Sequence, residues 1–102
     1  MNVIHNNKKS AWPFEDRKDV GVLTVQQILD GNQPILRVTH DIDDGMWQFL
    51  IGGKTKIDDA RLVSLEYIFT LDPSIAELAD LPLGWAATRL NKKDKWSRLQ
   101  IR

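Results

Sequence analysis

His40, Asp41, Asp43 and Asp44 are the residues whose types and spacing could do chemistry. An imidazole among three carboxylates can hold a divalent cation or move protons near neutral pH. A calcium loop needs oxygen ligands at its first, third and fifth positions, glycine at the sixth and a bidentate glutamate at the twelfth. Counted from Asp41, the fifth position is Gly45 and the twelfth is Gly52, so two ligands are missing. A looser cluster of His40, Asp41 and Asp43 leaves one alternative open, a metal- or small-ligand-binding enzyme or sensor using His40 and the neighbouring acids. Two facts weigh against it. Adjacent residues of a strand point to opposite faces, and acidic residues are ordinary turn formers.

Other catalytic arrangements are weaker still. His5 and His40 are the two histidines, and Ser10, Ser64, Ser74 and Ser97 the serines. None of these serines has the glycine-flanked setting of a nucleophile elbow. Ser64 and Ser74 are better read as helix starts. Gly52-Gly53-Lys54-Thr55 looks like the end of a phosphate loop, but the earlier glycine of that motif falls at Gln48. No catalytic residue, cofactor or bound metal is expected.

The acids need elements to position them, and the sequence supplies a β-hairpin. Ile35 to Thr39 forms its first strand and Trp47 to Ile51 its second, with Asp44-Gly45 in or near the turn. In the second strand Trp47, Phe49 and Ile51 share a face, which should be core. Before the hairpin, Val20-Gly21-Val22-Leu23 reads as a strand. Thr24 reads as the cap of a short helix burying Val25, Ile28 and Leu29, stopped by Gly31. After the hairpin come a Gly52-Gly53 loop, the acids Asp58 and Asp59, and a strand at Ala60 to Val63. Ser64 should cap a helix burying Leu65, Ile68 and Phe69. Asp72-Pro73 should start another, burying Ile75, Leu78 and Ala79 before Pro82. Leu83 to Thr88 is a last strand or an irregular segment.

The expected fold is therefore α+β: a small, mostly antiparallel sheet of about four to five strands with two or three short helices packed on one face. Residues 1–19 read as a polar arm carrying Trp12-Pro13-Phe14, residues 20–90 as a single domain, and residues 91–102 as a basic tail carrying Trp96. Of the four tryptophans, Trp47 and Trp85 fit the core by pattern, and Trp12 and Trp96 fit as caps over it or as anchors for a partner.

The 102 residues are enough for one core without staples. The absence of cysteine excludes disulfides and thiolate chemistry. No apolar run is long enough to span a membrane, and the polar N-terminal stretch lacks a signal-peptide core, so the cytoplasm is the expected location. Acids and bases balance at 14 each, but not locally. Between Asp41 and Asp80 nine acids face Lys54, Lys56 and Arg61, a net of −6; between Arg89 and Arg102 six bases face Asp94, a net of +5. An acidic middle repels phosphate, so nucleic acid is not an expected partner.

Four phrases occur together: the strand and short helix at Val22 to Gly31, Asp-Asp-Gly-Met-Trp-Gln-Phe with Gly52-Gly53, Val63-Ser64-Leu65-Glu66-Tyr67-Ile68, and Leu71-Asp72-Pro73-Ser74-Ile75-Ala76-Glu77-Leu78. Across roughly residues 20 to 88 the chain resembles a widespread bacterial family of small proteins, part of which is labelled immunity protein thirty-three because members sit in polymorphic toxin loci. The resemblance implies an α+β fold and a non-enzymatic protein that binds a toxin. It brings no catalytic residues, and the Trp-Pro-Phe arm and the basic tail depart from the family pattern. The expected function is protein binding through an acidic face made of Asp41, Asp43, Asp44, Asp58 and Asp59, set against a basic partner such as a nuclease toxin. Pairing of an exposed strand edge with a second copy is a further reading.

Overall fold

A computed structural model describes residues 11–102; His5 and Ser10 lie outside the described residues. Six strands form one sheet: β1 (Gly21–Val25), β2 (Arg37–His40), β3 (Trp47–Leu50), β4 (Ala60–Ser64), β5 (Trp85–Thr88) and β6 (Ser97–Gln100), in the order β4-β1-β3-β2-β5-β6. Every neighbouring pair is antiparallel except β1 and β3, which run parallel with Leu23 beside Gln48. The helical segments are α1 (Gln26–Leu29), α2 (Leu65–Leu71) and two 3₁₀ turns at Ile57–Asp59 and Pro73–Leu78. The fold is α+β, with one strand more than expected. Among the described residues no helix is long and apolar enough to cross a membrane.

Strand periodicity decides where the core lies. The registers align Val22, Val38, Trp47, Phe49 and Ala87 on one face, and all five are buried in a cluster that also holds Leu65, Ile68, Ile75 and Leu78 from the helical segments. Ser64 caps α2 as expected, its side chain accepting the Tyr67 N–H. Asp72 likewise accepts the Ser74 N–H with Pro73 just behind it, but the segment it starts is a 3₁₀ helix. Thr24 is not a helix cap. It lies inside β1, fully buried, and its hydroxyl donates to the Phe49 carbonyl at 2.8 Å across the parallel pair. Val25, with no capping side chain, precedes α1 instead.

The N-terminal aromatics belong to the core. Phe14 is buried and stands edge-on to Trp47 with ring centroids 5.4 Å apart, and Trp12 bridges Phe14 to Phe69. Asp16 fastens the arm: its carbonyl accepts the Trp12 indole N–H at 2.6 Å and its carboxylate accepts that of Trp47 at 3.2 Å.

Residues 91–102, expected as a basic tail, carry β6, which pairs with β5 from Thr88↔Ser97 to Trp85↔Gln100. Its bases return to the acidic middle of the chain. Arg102 meets Asp43 at 3.4 Å and Arg98 meets Asp80 at 2.6 Å, both in solvent. Arg89, just ahead of it, is buried: its guanidinium donates to Asp72 at 2.8 Å, to the Ile35 and Lys92 carbonyls and to Ser74, with the Trp96 ring 4.1 Å away. A buried guanidinium is tolerated only with its donors engaged, and here three side-chain nitrogens all find acceptors.

Candidate functional site

The hairpin loop between β2 and β3 is built by its own backbone. Asp41 N–H donates to the Met46 carbonyl at 2.8 Å and Gly45 N–H to the Asp41 carbonyl at 2.9 Å. Gly45 sits at φ +74°, a left-handed conformation that glycine adopts without strain. The Asp44 carboxylate accepts the Met46 N–H, which accounts for one acid as turn chemistry. Asp41 accepts from the Gln48 side chain at 2.7 Å, and Asp43 pairs with Arg102.

Gly84 ties this loop to the end of the chain. Its N–H donates to the His40 carbonyl, and its carbonyl accepts the N–H groups of Ile101 and Arg102. At φ +83°, with Arg102 and Ile42 so close that a Cβ would lie 3.3 Å from the former's side chain and 3.6 Å from the latter's, only glycine fits without rearrangement. The result is a concavity of about 300 Å³ lined by the loop together with His40, Gln48, Ile101 and Arg102.

The His40 ring is engaged on the core side. Its ring stacks on Trp47 with centroids 3.9 Å apart, and its Nδ1 lies 2.7 Å from the Leu81 carbonyl. A carbonyl only accepts, so Nδ1 carries the proton. The ring is thus tied to the core-side aromatics, while the Asp41 carboxylate is tied to Gln48. Among the described residues no three His, Asp or Glu side chains gather as a metal-ligating group.

The five acids expected to share one face are divided. Asp41, Asp43 and Asp44 follow β2 and precede β3, whereas Asp58 and Asp59 precede β4 and so stand beside Val25, at the end where the parallel strands β1 and β3 finish. The two groups occupy opposite ends of the strands. Asp59 accepts from Gln27 at 2.8 Å and borders a concavity of about 220 Å³ with Lys54 and Lys56. The Asp58 carbonyl is held by Arg61. Cations therefore surround the second pair of acids.

What adjoins the hairpin acids is partly apolar. The sheet face opposite the core carries an unbroken row in register: Leu62, Leu23, Gln48, Thr39, Ala86 and Leu99. Leu62 is 68% exposed and Leu99 63% exposed. Gln48 belongs both to this row and to the loop concavity, and Ile101, two residues beyond Leu99, lines the same concavity. Ile42, at the loop tip, is also exposed. Sequence reasoning missed Leu62, Leu99, Ile42 and Ile101 as surface residues. The alternation of Leu62 with Arg61 and of Leu99 with Arg98 was the available signal, and it does not reveal which face a helix covers.

Compared with protein-family models, curated proteins and solved structures, the chain matches none.

Proposed function

We propose that this protein is a non-enzymatic binding module that holds another, basic protein at the hairpin end of its open sheet face. One observation supports this reading above the others: exposed Ile42 and Ile101, with Leu99 two residues before the latter, stand beside a loop bearing three carboxylates. Apolar area surrounded by charge is how protein interfaces combine affinity with specificity. Leu99, Ile101 and Ile42 supply area to be desolvated. Asp41, Asp43 and Asp44 supply the field that draws a cationic surface in and sets its register.

The contact surface in this proposal keeps Asp41, Asp43 and Asp44 and drops Asp58 and Asp59, which the opposite strand ends and nearby lysines set apart. A basic toxin is the partner suggested by the resemblance of residues 20 to 88 to the immunity family. The test is affinity capture from a lysate of the source cells, with the wild type beside an Asp41/Asp43/Asp44→Asn variant. A basic protein held by the first and lost by the second, with both baits equally folded by circular dichroism, supports the proposal. Equal capture by both overturns the assignment of the site.

A further inference from the structure

The two edges of the sheet are not equivalent. At the start of the β4 edge, Arg61 lies along the backbone: its guanidinium donates to the Ala60 carbonyl at 2.8 Å and the Asp58 carbonyl at 2.9 Å, and Gln26 holds it there at 2.8 Å. Carbonyls that already accept a side-chain donor in this way are less open to an added strand. At the β6 edge the corresponding bond lies beyond the strand, where the Gln100 side chain donates to the Arg102 carbonyl at 3.1 Å. Ile101 N–H bonds inward to Gly84 at 2.8 Å, in register with Ala86↔Leu99. Backbone groups alternate sides along an antiparallel strand, so Leu99 faces β5 and the N–H and C=O of Arg98 and Gln100 face outward.

The charge around this edge is mainly positive, with Asp94 the one carboxylate of the turn. Lys93 and Lys95 stand in the turn that leads into β6, exposed and without an ion-pair partner among the described residues. Arg98 and Arg102 flank the edge with their charges partly met by Asp80 and Asp43. Beside the turn lies a concavity of about 490 Å³ lined by Thr88, Arg89, Leu90, Lys95, Ser97 and one carboxylate, Asp94; Leu90 there is 89% exposed. Leu99 presents apolar surface on the adjoining open face.

We infer that β6 is the docking edge for an extended acidic peptide segment of a partner, which adds to the sheet as a seventh strand. Its backbone pairs with the outward groups of Arg98 and Gln100, its carboxylates reach Lys93 and Lys95, and an aliphatic side chain packs on Leu99. Strand addition of this kind takes affinity from main-chain hydrogen bonds and selectivity from the side chains on either face. A second copy of this chain is the less suited occupant, because two β6 edges would bring Arg98, Arg102 and the turn lysines of both copies together. The inference does not depend on the hairpin site.

The probe is a fluorescein-labelled peptide, Glu-Val-Glu-Thr-Glu-Val, with Lys-Val-Lys-Thr-Lys-Val as control, followed by anisotropy with the full chain. The acidic peptide binds and the basic one does not. Lys93→Glu with Lys95→Glu weakens binding by about tenfold or more at low salt. Gln100→Pro, which removes an outward donor from an edge strand where proline is tolerated, weakens it comparably. Should that variant fold poorly, hydrogen exchange on the wild type serves instead: Arg98 and Gln100 amides slow on saturation with peptide while Leu99, already bonded inward, changes little. Asp41/Asp43/Asp44→Asn leaves the peptide affinity unreduced, which separates this inference from the hairpin proposal. Absence of binding, binding indifferent to Gln100→Pro with no slowing at Arg98 and Gln100, or dimerisation through β6 in light scattering each overturn it.

Discussion

Arg89 and Arg102 make the same kind of bridge, from the basic end of the chain to its acidic middle, in opposite surroundings. The Arg89 and Asp72 side chains are 2% and 9% exposed, while those of Arg102 and Asp43 are 58% and 74% exposed. Burial decides what each bridge does. The inner one joins the loop before β2, the 3₁₀ turn and the β5–β6 turn through Ile35, Ser74 and Lys92, so it fixes the fold. The outer one sits on the rim of the hairpin concavity and trims the charge of the loop by one carboxylate. Charge segregation along the sequence is thus largely an intramolecular matter. What remains for a partner is the surplus: Asp41 and Asp44 at one end, Lys93 and Lys95 at the other.

The largest effect should come from Arg89→Ala, which strands a buried carboxylate and should cost about 3–5 kcal/mol in urea unfolding. A loss below about 1 kcal/mol would erase the distinction between the two bridges. Next is the pH dependence. Burial pushes the Asp72 carboxyl upward, but the Ser74 hydroxyl and N–H and the Arg89 guanidinium outweigh it and leave its pKa lowered. A carboxyl whose folded pKa is depressed contributes stability that is present above its unfolded pKa of about 3.9 and is lost as pH falls through the folded value. Unfolding free energy should therefore drop on acidification below about pH 4, and Asp72→Asn, weaker at neutral pH, should flatten that drop. Arg102→Ala should change stability by less than about 1 kcal/mol. By freeing Asp43 it should also quicken association with a cationic partner severalfold at low salt, read by stopped flow. The smallest effect belongs to Arg98→Ala, which should leave the thermal midpoint unchanged within error, because Asp80 is fully exposed and solvent replaces the pair.

Much of this could be read from the sequence where local chemistry dominates. Gly45 after Asp44 placed the hairpin turn, Ser64 and Asp72 marked the helical starts, and the alternation of Trp47 and Phe49 gave the core face. Thr24 misled because the same residue type caps helices and fills β-strands; its place was decided by a parallel neighbour, Phe49, far along the chain. Strand β6 was invisible for a related reason. Ser97-Arg98-Leu99-Gln100 has a single apolar residue, as charged edge strands do, and only pairing with β5 reveals it. The division of the acids was illegible too. Asp58 and Asp59 follow the hairpin by a short loop, and the reversal of direction between β3 and β4, imposed by β1 lying between them, carries them to the other end.

The most direct test of the hairpin site compares the two acidic groups in one assay: association rates of the captured basic partner with wild type, Asp41/Asp43/Asp44→Asn and Asp58/Asp59→Asn across a salt series. Loss of the hairpin acids should slow association about tenfold or more at low salt and flatten the salt dependence, while loss of Asp58 and Asp59 should change the rate less than about twofold. Equal slowing by both variants, or slowing by the second alone, would contradict the account.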